Sequence, residues 1–195
     1  MSKKIEFYFD FASPTTYLAF YRLQELAQKY DAQIEFKGVL LGGVFKATGN
    51  TSPALLPPKG RYMGLDLPRF AKRYAIEMNF NPFFPVNTLP LMRGYYAAKE
   101  LGVEMDYMKM VFDGMWLHKV NFSKPEALLQ VLKDLNIDEA KFHALVSDDA
   151  IKNQLKETTE ELVKRGGFGV PTMYLDKDMF FGQDRLDFVE EALAE

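Results

Sequence analysis

The sequence predicts an α/β domain that is interrupted by an all-helical insertion. The first forty residues alternate as strand, helix and strand, which is typical of an α/β unit. From residue 41 to residue 165 helical patterns follow one another. Strand character returns after the Gly166-Gly167 pair. The predicted α/β domain therefore comprises residues 1–40 and 166–195, and the insertion comprises residues 41–165.

The opening unit is predicted as a strand over residues 5–11, a helix over 14–30 and a strand over 34–39. Apolar residues of the helix share one stripe, while charged and amide side chains occupy the other face. The second strand alternates apolar and polar residues, as a half-buried strand does. This order favours a parallel pair of strands with a right-handed crossover.

The insertion opens with residues 48–60, which are rich in Gly, Pro and Asn and are predicted to lack regular structure. Long loops in compact domains are often functional. Helices are then predicted near residues 66–76, 87–102, 104–118, 127–135, 138–146 and 147–165. Their expected N-caps are Asp66, Asn87 or Thr88, Ser123 in a capping box with Glu126, Asp138, and Ser147 or Asp148.

The C-terminal segment is predicted as a β-hairpin and a final helix. Residues 172–175 and 179–181 have strand character and flank a turn at residues 176–178. Residues 184–194 carry an apolar stripe and form the predicted helix.

Composition excludes several classes of function. The net charge of −3 and the interspersed charges lack the basic patch that nucleic-acid binding needs. No apolar run approaches a membrane span, and no signal peptide is recognised, so we expect a cytoplasmic protein. The chain has no cysteine, which excludes disulfides and thiolate metal sites, and His118 and His143 are isolated, so we expect no metal. The glycine pairs fit no phosphate-binding loop.

Ser13 admits two interpretations. A serine before Pro14 is a common way to begin a helix, because the hydroxyl accepts an otherwise unpaired backbone N–H. The same helix end stabilises anions, thiolates included. Ser13 to Thr16 also stand where a thioredoxin-like fold carries its Cys-x-x-Cys motif. At the predicted hairpin, Val170-Pro171 either begins an edge strand or forms a cis peptide bond that exposes its backbone to a ligand.

Three segments together carry a family resemblance. They are residues 9–19, the loop with Thr48-Gly49-Asn50 and Pro57-Pro58-Lys59-Gly60, and residues 168–172 with 181–186. In this order they resemble the 2-hydroxychromene-2-carboxylate isomerases and the related kappa-class glutathione transferases, which have a DsbA-like thioredoxin fold with an inserted helical domain. The resemblance spans essentially the whole chain, and it implies a homodimer.

The resemblance also implies that glutathione supplies the sulfur that this chain lacks. Ser13 matches the serine that holds the glutathione thiolate. Further matching positions that would bind the tripeptide are Asn50, Lys59, Val170, Pro171, Gln183 and Asp184. Asp184 would meet the glutamyl ammonium and Lys59 a carboxylate, which are charge-assisted contacts. Without the resemblance, Asp184 is equally an N-cap of the last helix.

The implied activity is isomerisation of 2-hydroxychromene-2-carboxylate to trans-o-hydroxybenzylidenepyruvate, in aromatic hydrocarbon catabolism, through transient thiolate addition. One alternative is a kappa-like transferase that conjugates electrophiles, and another is a non-catalytic thioredoxin-like module that binds peptides or acts as a chaperone. A small aromatic carboxylate or another electrophile would be the partner substrate. Residues 80–87 and 108–116 are rich in aromatics and Met and supply either core or substrate pocket.

Overall fold

A computed structural model describes residues 3–195 and shows a four-stranded mixed sheet. The strands are β1 (Lys4–Phe9), β2 (Gln33–Gly38), β3 (Thr172–Leu175) and β4 (Asp178–Phe181). Their order is β2-β1-β3-β4. Strand β1 pairs parallel to β2 and antiparallel to β3, so that Phe7 lies opposite Phe36 on one side and Met173 on the other. The predicted parallel pair and the predicted hairpin are confirmed.

Nine helices accompany the sheet within residues 3–195. They are α1 (Pro14–Lys29), α2 (Leu41–Thr48), α3 (Pro57–Arg73), α4 (Leu89–Glu100), α5 (Glu104–Trp116), α6 (Pro125–Asp134), α7 (Glu139–Ser147), α8 (Asp149–Lys164) and α9 (Leu186–Ala194). Helices α2 to α8 therefore separate β2 from β3 in sequence, as the predicted insertion requires. In this described part of the chain no helix is long and apolar enough to cross a membrane.

The start of the insertion differs from its prediction. Residues 48–60 are not wholly irregular, because α2 ends at Thr48, a 3₁₀ turn spans Pro53–Leu55 and α3 begins at Pro57. Prolines at the first positions of a helix lose no hydrogen bond, so Pro57-Pro58 starts a helix here instead of marking a loop. The predicted cap Asp66 consequently lies inside α3.

Two other predicted caps are wrong and two are confirmed. Helix α6 has Lys124 at its N-cap, and the backbone N–H of Ser123 donates to Asn121 instead. The last helix begins at Leu186, after a 3₁₀ turn over Gln183–Arg185, so Asp184 does not cap it. Asp138 and Asp148 accept hydrogen bonds from the first turns of α7 and α8, as predicted.

Side chains of β1 alternate between two hydrophobic clusters, as the strand period of two requires. Phe7 and Phe9 join a large cluster with α1, α4, α5 and α9, whereas Tyr8 joins a smaller one with Val44 of α2 and Leu162 of α8. The ring centroids of Phe9 and Tyr95 of α4 lie 4.9 Å apart. The sheet and the inserted helices thus share a continuous aromatic core.

Candidate functional site

A cavity of about 630 Å³ lies at the N-terminus of α1. Its walls come from the start of α1, from α2 and α3, and from segments near residues 84–88, 169–170 and 181–184. This volume falls in the range of small-molecule sites. Of the predicted site residues, it is lined by Ser13, Asn50, Val170, Gln183 and Asp184.

Ser13 is the N-cap of α1 and is buried, with only 5% of its surface exposed. Its Oγ accepts a hydrogen bond from the Thr16 backbone N–H at 3.2 Å. The same oxygen lies 2.9 Å from the Thr15 hydroxyl and donates to the Val170 carbonyl at 3.2 Å. The predicted capping role is therefore confirmed, and the hydroxyl lies in the cavity wall.

Two backbone donors beside Ser13 find no acceptor in the described part of the chain. Within residues 3–195, neither the Thr15 N–H nor the Val170 N–H donates a hydrogen bond, and both residues line the cavity. The peptide bond between Val170 and Pro171 is cis, as suggested by the sequence. Pro171 is buried behind the cavity wall, where its carbonyl accepts the Gly182 N–H at 2.9 Å.

Asn50 and Lys59 occupy different positions relative to the cavity. Asn50 lines it and donates from Nδ2 to the Phe168 carbonyl at 2.8 Å, which ties the end of α2 to the segment before Val170. Lys59 lies exposed in the first turn of α3 and is not part of the lining. The fold therefore places Asn50 in the site and Lys59 outside the cavity wall.

Gln183 and Asp184 also line the cavity. Gln183 is only 7% exposed, and its carbonyl accepts from the Tyr74 hydroxyl at 2.7 Å. Its side-chain amide makes no hydrogen bond with any residue between 3 and 195, so it is available to a ligand. The Asp184 carboxylate lies 2.6 Å from Arg185, and about half of each side chain is exposed. Such exposed pairs contribute little free energy and exchange partners readily.

Asp10 is a functional candidate that the sequence interpretation missed. It lines the cavity, is fully buried, and accepts backbone N–H groups from Ala12 at 2.9 Å and Leu41 at 2.8 Å. Burial raises the pKa of this carboxyl, although both backbone hydrogen bonds oppose the effect. The sequence holds one sign of this role, which is an acidic residue inside the apolar run Phe7 to Phe11.

Most of the remaining lining is apolar. Of the two aromatic and Met-rich stretches, residues 84–87 contribute to the cavity, whereas Met108, Phe112 and Trp116 are fully buried in the core. Core packing is thus the correct interpretation for the second stretch. The other apolar lining side chains include Leu41, Phe45, Leu55, Met63 and Leu67. The site accordingly combines polar donors at one end with a surface suited to a flat apolar group.

Comparison with known proteins identifies relatives over nearly the whole chain. The DSBA-like thioredoxin domain family matches residues 4–194. The 2-hydroxychromene-2-carboxylate isomerase of Pseudomonas sp. (strain C18) is 34% identical over 192 residues, covering 97% of this chain and 90% of that protein. Glutathione S-transferase kappa 1 of Homo sapiens is 26% identical over 211 residues, covering 100% and 92% respectively.

A solved structure gives the same result in three dimensions. The selenomethionine form of a 2-hydroxychromene-2-carboxylate isomerase superposes with a TM-score of 0.88 at 33% identity. The superposition covers 98% of this chain and 94% of the other. Sequence and fold therefore lead to the same group of proteins.

Proposed function

Because the chain belongs to the DSBA-like thioredoxin domain family and to the 2-hydroxychromene-2-carboxylate isomerases, we propose that it isomerises 2-hydroxychromene-2-carboxylate to trans-o-hydroxybenzylidenepyruvate with glutathione as cofactor. The family match confirms the predicted thioredoxin-like fold. The observation that carries the proposal is the buried Ser13 hydroxyl at the start of α1, inside a cavity of about 630 Å³.

The cavity has the unused polar groups that a peptide-like anion requires. The Thr15 and Val170 N–H groups and the Gln183 amide line the cavity and have no partner among residues 3–195. Polar groups near the interior are costly when they remain unpaired. A tripeptide with a thiolate and charged ends would satisfy them, so these residues fit glutathione.

Glutathione, when bound, would supply the nucleophilic thiolate that this cysteine-free chain lacks. Ser13 would stabilise that anion by donating its hydroxyl proton, and the N-terminus of α1 would add its partial positive charge. Lowering a thiol pKa by one or two units requires about 1.4 to 2.7 kcal/mol of preferential stabilisation. One charge-assisted hydrogen bond together with the helix end can provide this amount.

We assign the remaining polar residues to binding the tripeptide. The Val170 N–H would pair with its backbone, and Asn50 would support that contact through its hydrogen bond to Phe168. Asp184 would exchange Arg185 for the glutamyl ammonium. Lys59, on the exposed first turn of α3, would attract a carboxylate at the cavity entrance.

The substrate carboxylate and aromatic ring would occupy the rest of the cavity. Phe45, Met63 and Phe84 contribute apolar surface to its lining, and such surface favours burial of a flat ring. These side chains would orient the ring and exclude water from the reacting bond.

The decisive experiment measures isomerisation by absorbance with and without glutathione, in the wild type and in Ser13→Ala. We expect activity to require glutathione and to fall about tenfold to a hundredfold in the variant, since a hydrogen bond to a charged group contributes about 1.5 to 3 kcal/mol. Asp138→Ala is the control, because it removes the N-cap of α7, and no residue of α7 is among those that line the cavity. Full activity of Ser13→Ala would refute the assignment.

The transferase alternative is supported by the kappa-class relatives at 25% to 29% identity. Mass spectrometry separates the two enzymes, since an isomerase product keeps the substrate mass and a transferase product contains glutathione. A protein that binds no glutathione in calorimetry would instead be the non-catalytic thioredoxin-like module.

Assembly and location form the last part of the proposal. We propose that the protein is a homodimer, as the resemblance to the family implies, and that it is cytoplasmic. Light scattering coupled to gel filtration checks the assembly, and a mass near the monomer value of 22.4 kDa would contradict it.

A further inference from the structure

A second cavity, also of about 630 Å³, lies between helices α2, α4 and α8. Leu41, Gly42 and Phe45 of α2 line the Ser13 cavity, whereas Gly43 and Ala47 line the second one. At 100° per residue, these two sets occupy opposite faces of α2. The two cavities are thus separate spaces that share α2 as a wall.

The interior of the second cavity is apolar. Leu40 and Ala47 border it from the side of α2, Leu89 from α4, and Leu155 and Val163 from α8. Its volume is in the usual range for a small organic ligand. The walls therefore favour a ligand with an apolar body.

The rim of this cavity is positively charged. It contains four basic residues, Arg93, Lys152, Lys156 and Lys164, and one acidic residue, Glu160. Lys152 pairs with Asp149 at 2.9 Å, and Lys156 lies 3.8 Å from Glu160. Among residues 3–195, Arg93 and Lys164 have no acidic partner, so the rim carries uncompensated positive charge.

Arg93 provides the second, independent observation. Its Nε is buried and has no hydrogen-bond acceptor among the described residues. A guanidinium is always charged, and a buried N–H of a cation without an acceptor is costly. The Nε atom itself is closed to a ligand, but Arg93 lines the cavity, and its planar guanidinium suits a carboxylate or sulfonate there.

We propose that this second cavity binds a small organic anion, with its carboxylate or sulfonate on Arg93 and its apolar body between α2 and α8. Lys164 and Lys156 add attraction at the entrance. The site is distinct from the Ser13 cavity and needs neither Ser13 nor glutathione. It therefore binds its ligand whether or not the proposed isomerase activity is correct.

The test uses naphthalene-2-sulfonate as the probe and naphthalene-2-methanol as its uncharged analogue. Calorimetry and ¹⁵N-HSQC titrations are done with the wild type, Arg93→Gln and the charge-matched control Lys133→Gln, an exposed residue of α6. Excess S-methylglutathione occupies the Ser13 cavity. We expect sulfonate-specific shifts at Gly43, Ala47 and Thr159, and affinity about tenfold lower in Arg93→Gln only.

A blocking variant keeps the result unambiguous. Ala47 is exposed at the cavity edge, so Ala47→Trp fills the entrance with little effect on the core and should abolish the shifts at Thr159. The proposal is overturned if the shifts cluster only around Ser13 and Val170. Equal affinity for the sulfonate and the alcohol, or equal affinity of wild type and Arg93→Gln, also overturns it.

Discussion

The Ser13 hydroxyl has a single proton, for which the Val170 carbonyl and the proposed glutathione thiolate would compete as acceptors. In the structure it goes to the Val170 carbonyl at 3.2 Å. The two lone pairs of Oγ accept the Thr16 N–H and face the Thr15 hydroxyl. A glutathione thiolate bound as we propose would therefore replace the Val170 carbonyl as the acceptor, while Thr16 and Thr15 would keep the oxygen in place.

Asp184→Asn should weaken glutathione binding about twofold to fivefold, because an ion pair at a half-exposed carboxylate contributes about 0.2 to 1 kcal/mol. Its matched control is Asp187→Asn, which breaks an exposed pair with Arg73 at 2.8 Å outside the cavity. Calorimetry with glutathione measures both. Equal affinities in the two variants would remove Asp184 from the site.

Asp10→Asn should change stability little at low pH, because a protonated carboxyl and an amide each offer one strong acceptor oxygen to the Ala12 and Leu41 N–H groups. Burial raises the pKa of Asp10 above its ordinary value of 3.8, so its ionisation opposes folding. The wild type should therefore match Asp10→Asn at low pH and lose stability relative to it as the pH rises.

This relative loss should develop as the pH rises from 3.8 through the raised pKa of Asp10 in the folded protein. Denaturant unfolding of both proteins over a pH series measures the difference. A wild type that gains stability relative to Asp10→Asn as the pH rises would mean that the two backbone hydrogen bonds outweigh burial.

Local sequence predicts only part of this site. Ser13 and Val170-Pro171 are recognisable because their roles depend on the residues beside them, a proline in each case. The contact of Asp10 with Leu41 and the burial of Gln183 behind Tyr74 depend on residues far apart in the chain. No pattern of residue spacing in the sequence predicts these contacts.

At the scale of elements, α3 is the clearest departure from prediction. Composition predicts a loop at Pro57 and Pro58, although both prolines fit the first turn of a helix. The real loop is shorter, since Gly49 ends α2 with a positive φ of 70° and the 3₁₀ turn follows at Pro53. Strands and the helices with strong apolar stripes were predicted well because their periodicity is local.

Gly94 fixes how closely α4 packs against its neighbours. A Cβ at this position would lie 2.9 Å from Phe142 of α7 and would overlap the Tyr107 hydroxyl of α5. Gly94→Ala should therefore destabilise the protein by about 1 to 3 kcal/mol, as overpacking does.

Gly64→Ala is the matched control in α3, where a Cβ would meet no atom within 4 Å. Alanine there should stabilise the protein by about 0.5 to 1 kcal/mol, because glycine is a poor helix former. Thermal unfolding compares the two variants. A destabilised Gly64→Ala would indicate that another chain covers this face of α3.

At the scale of the molecule, the α/β domain and the helical insertion are segments in the order of the chain. That they also fold as separate units remains a prediction. The aromatic core crosses the proposed boundary: Phe11 of the first segment lies 4.7 Å from Phe112 of α5 between ring centroids. Phe20 of α1 lies 5.0 Å from the same ring. Such contacts favour cooperative unfolding.

Trp116 is the only tryptophan of the chain and reports on this boundary. It is fully buried in α5, and its Nε1 donates to the Phe11 carbonyl at 2.8 Å. Unfolding followed by tryptophan fluorescence and by far-ultraviolet circular dichroism should therefore give coincident transitions. A fluorescence change that precedes the dichroism change would show that the two segments unfold separately.

The junction before α2 limits how the chain can change in length. The Leu40 N–H donates to Thr159 of α8 at 3.0 Å, and the next N–H, that of Leu41, donates to Asp10 at 2.8 Å. One inserted residue between them would rotate α2 by about 100° and break at least one of these bonds. Insertions and deletions between homologues should therefore occur at exposed turns outside the cavity, such as residues 176–177, and not at the junction of residues 40 and 41.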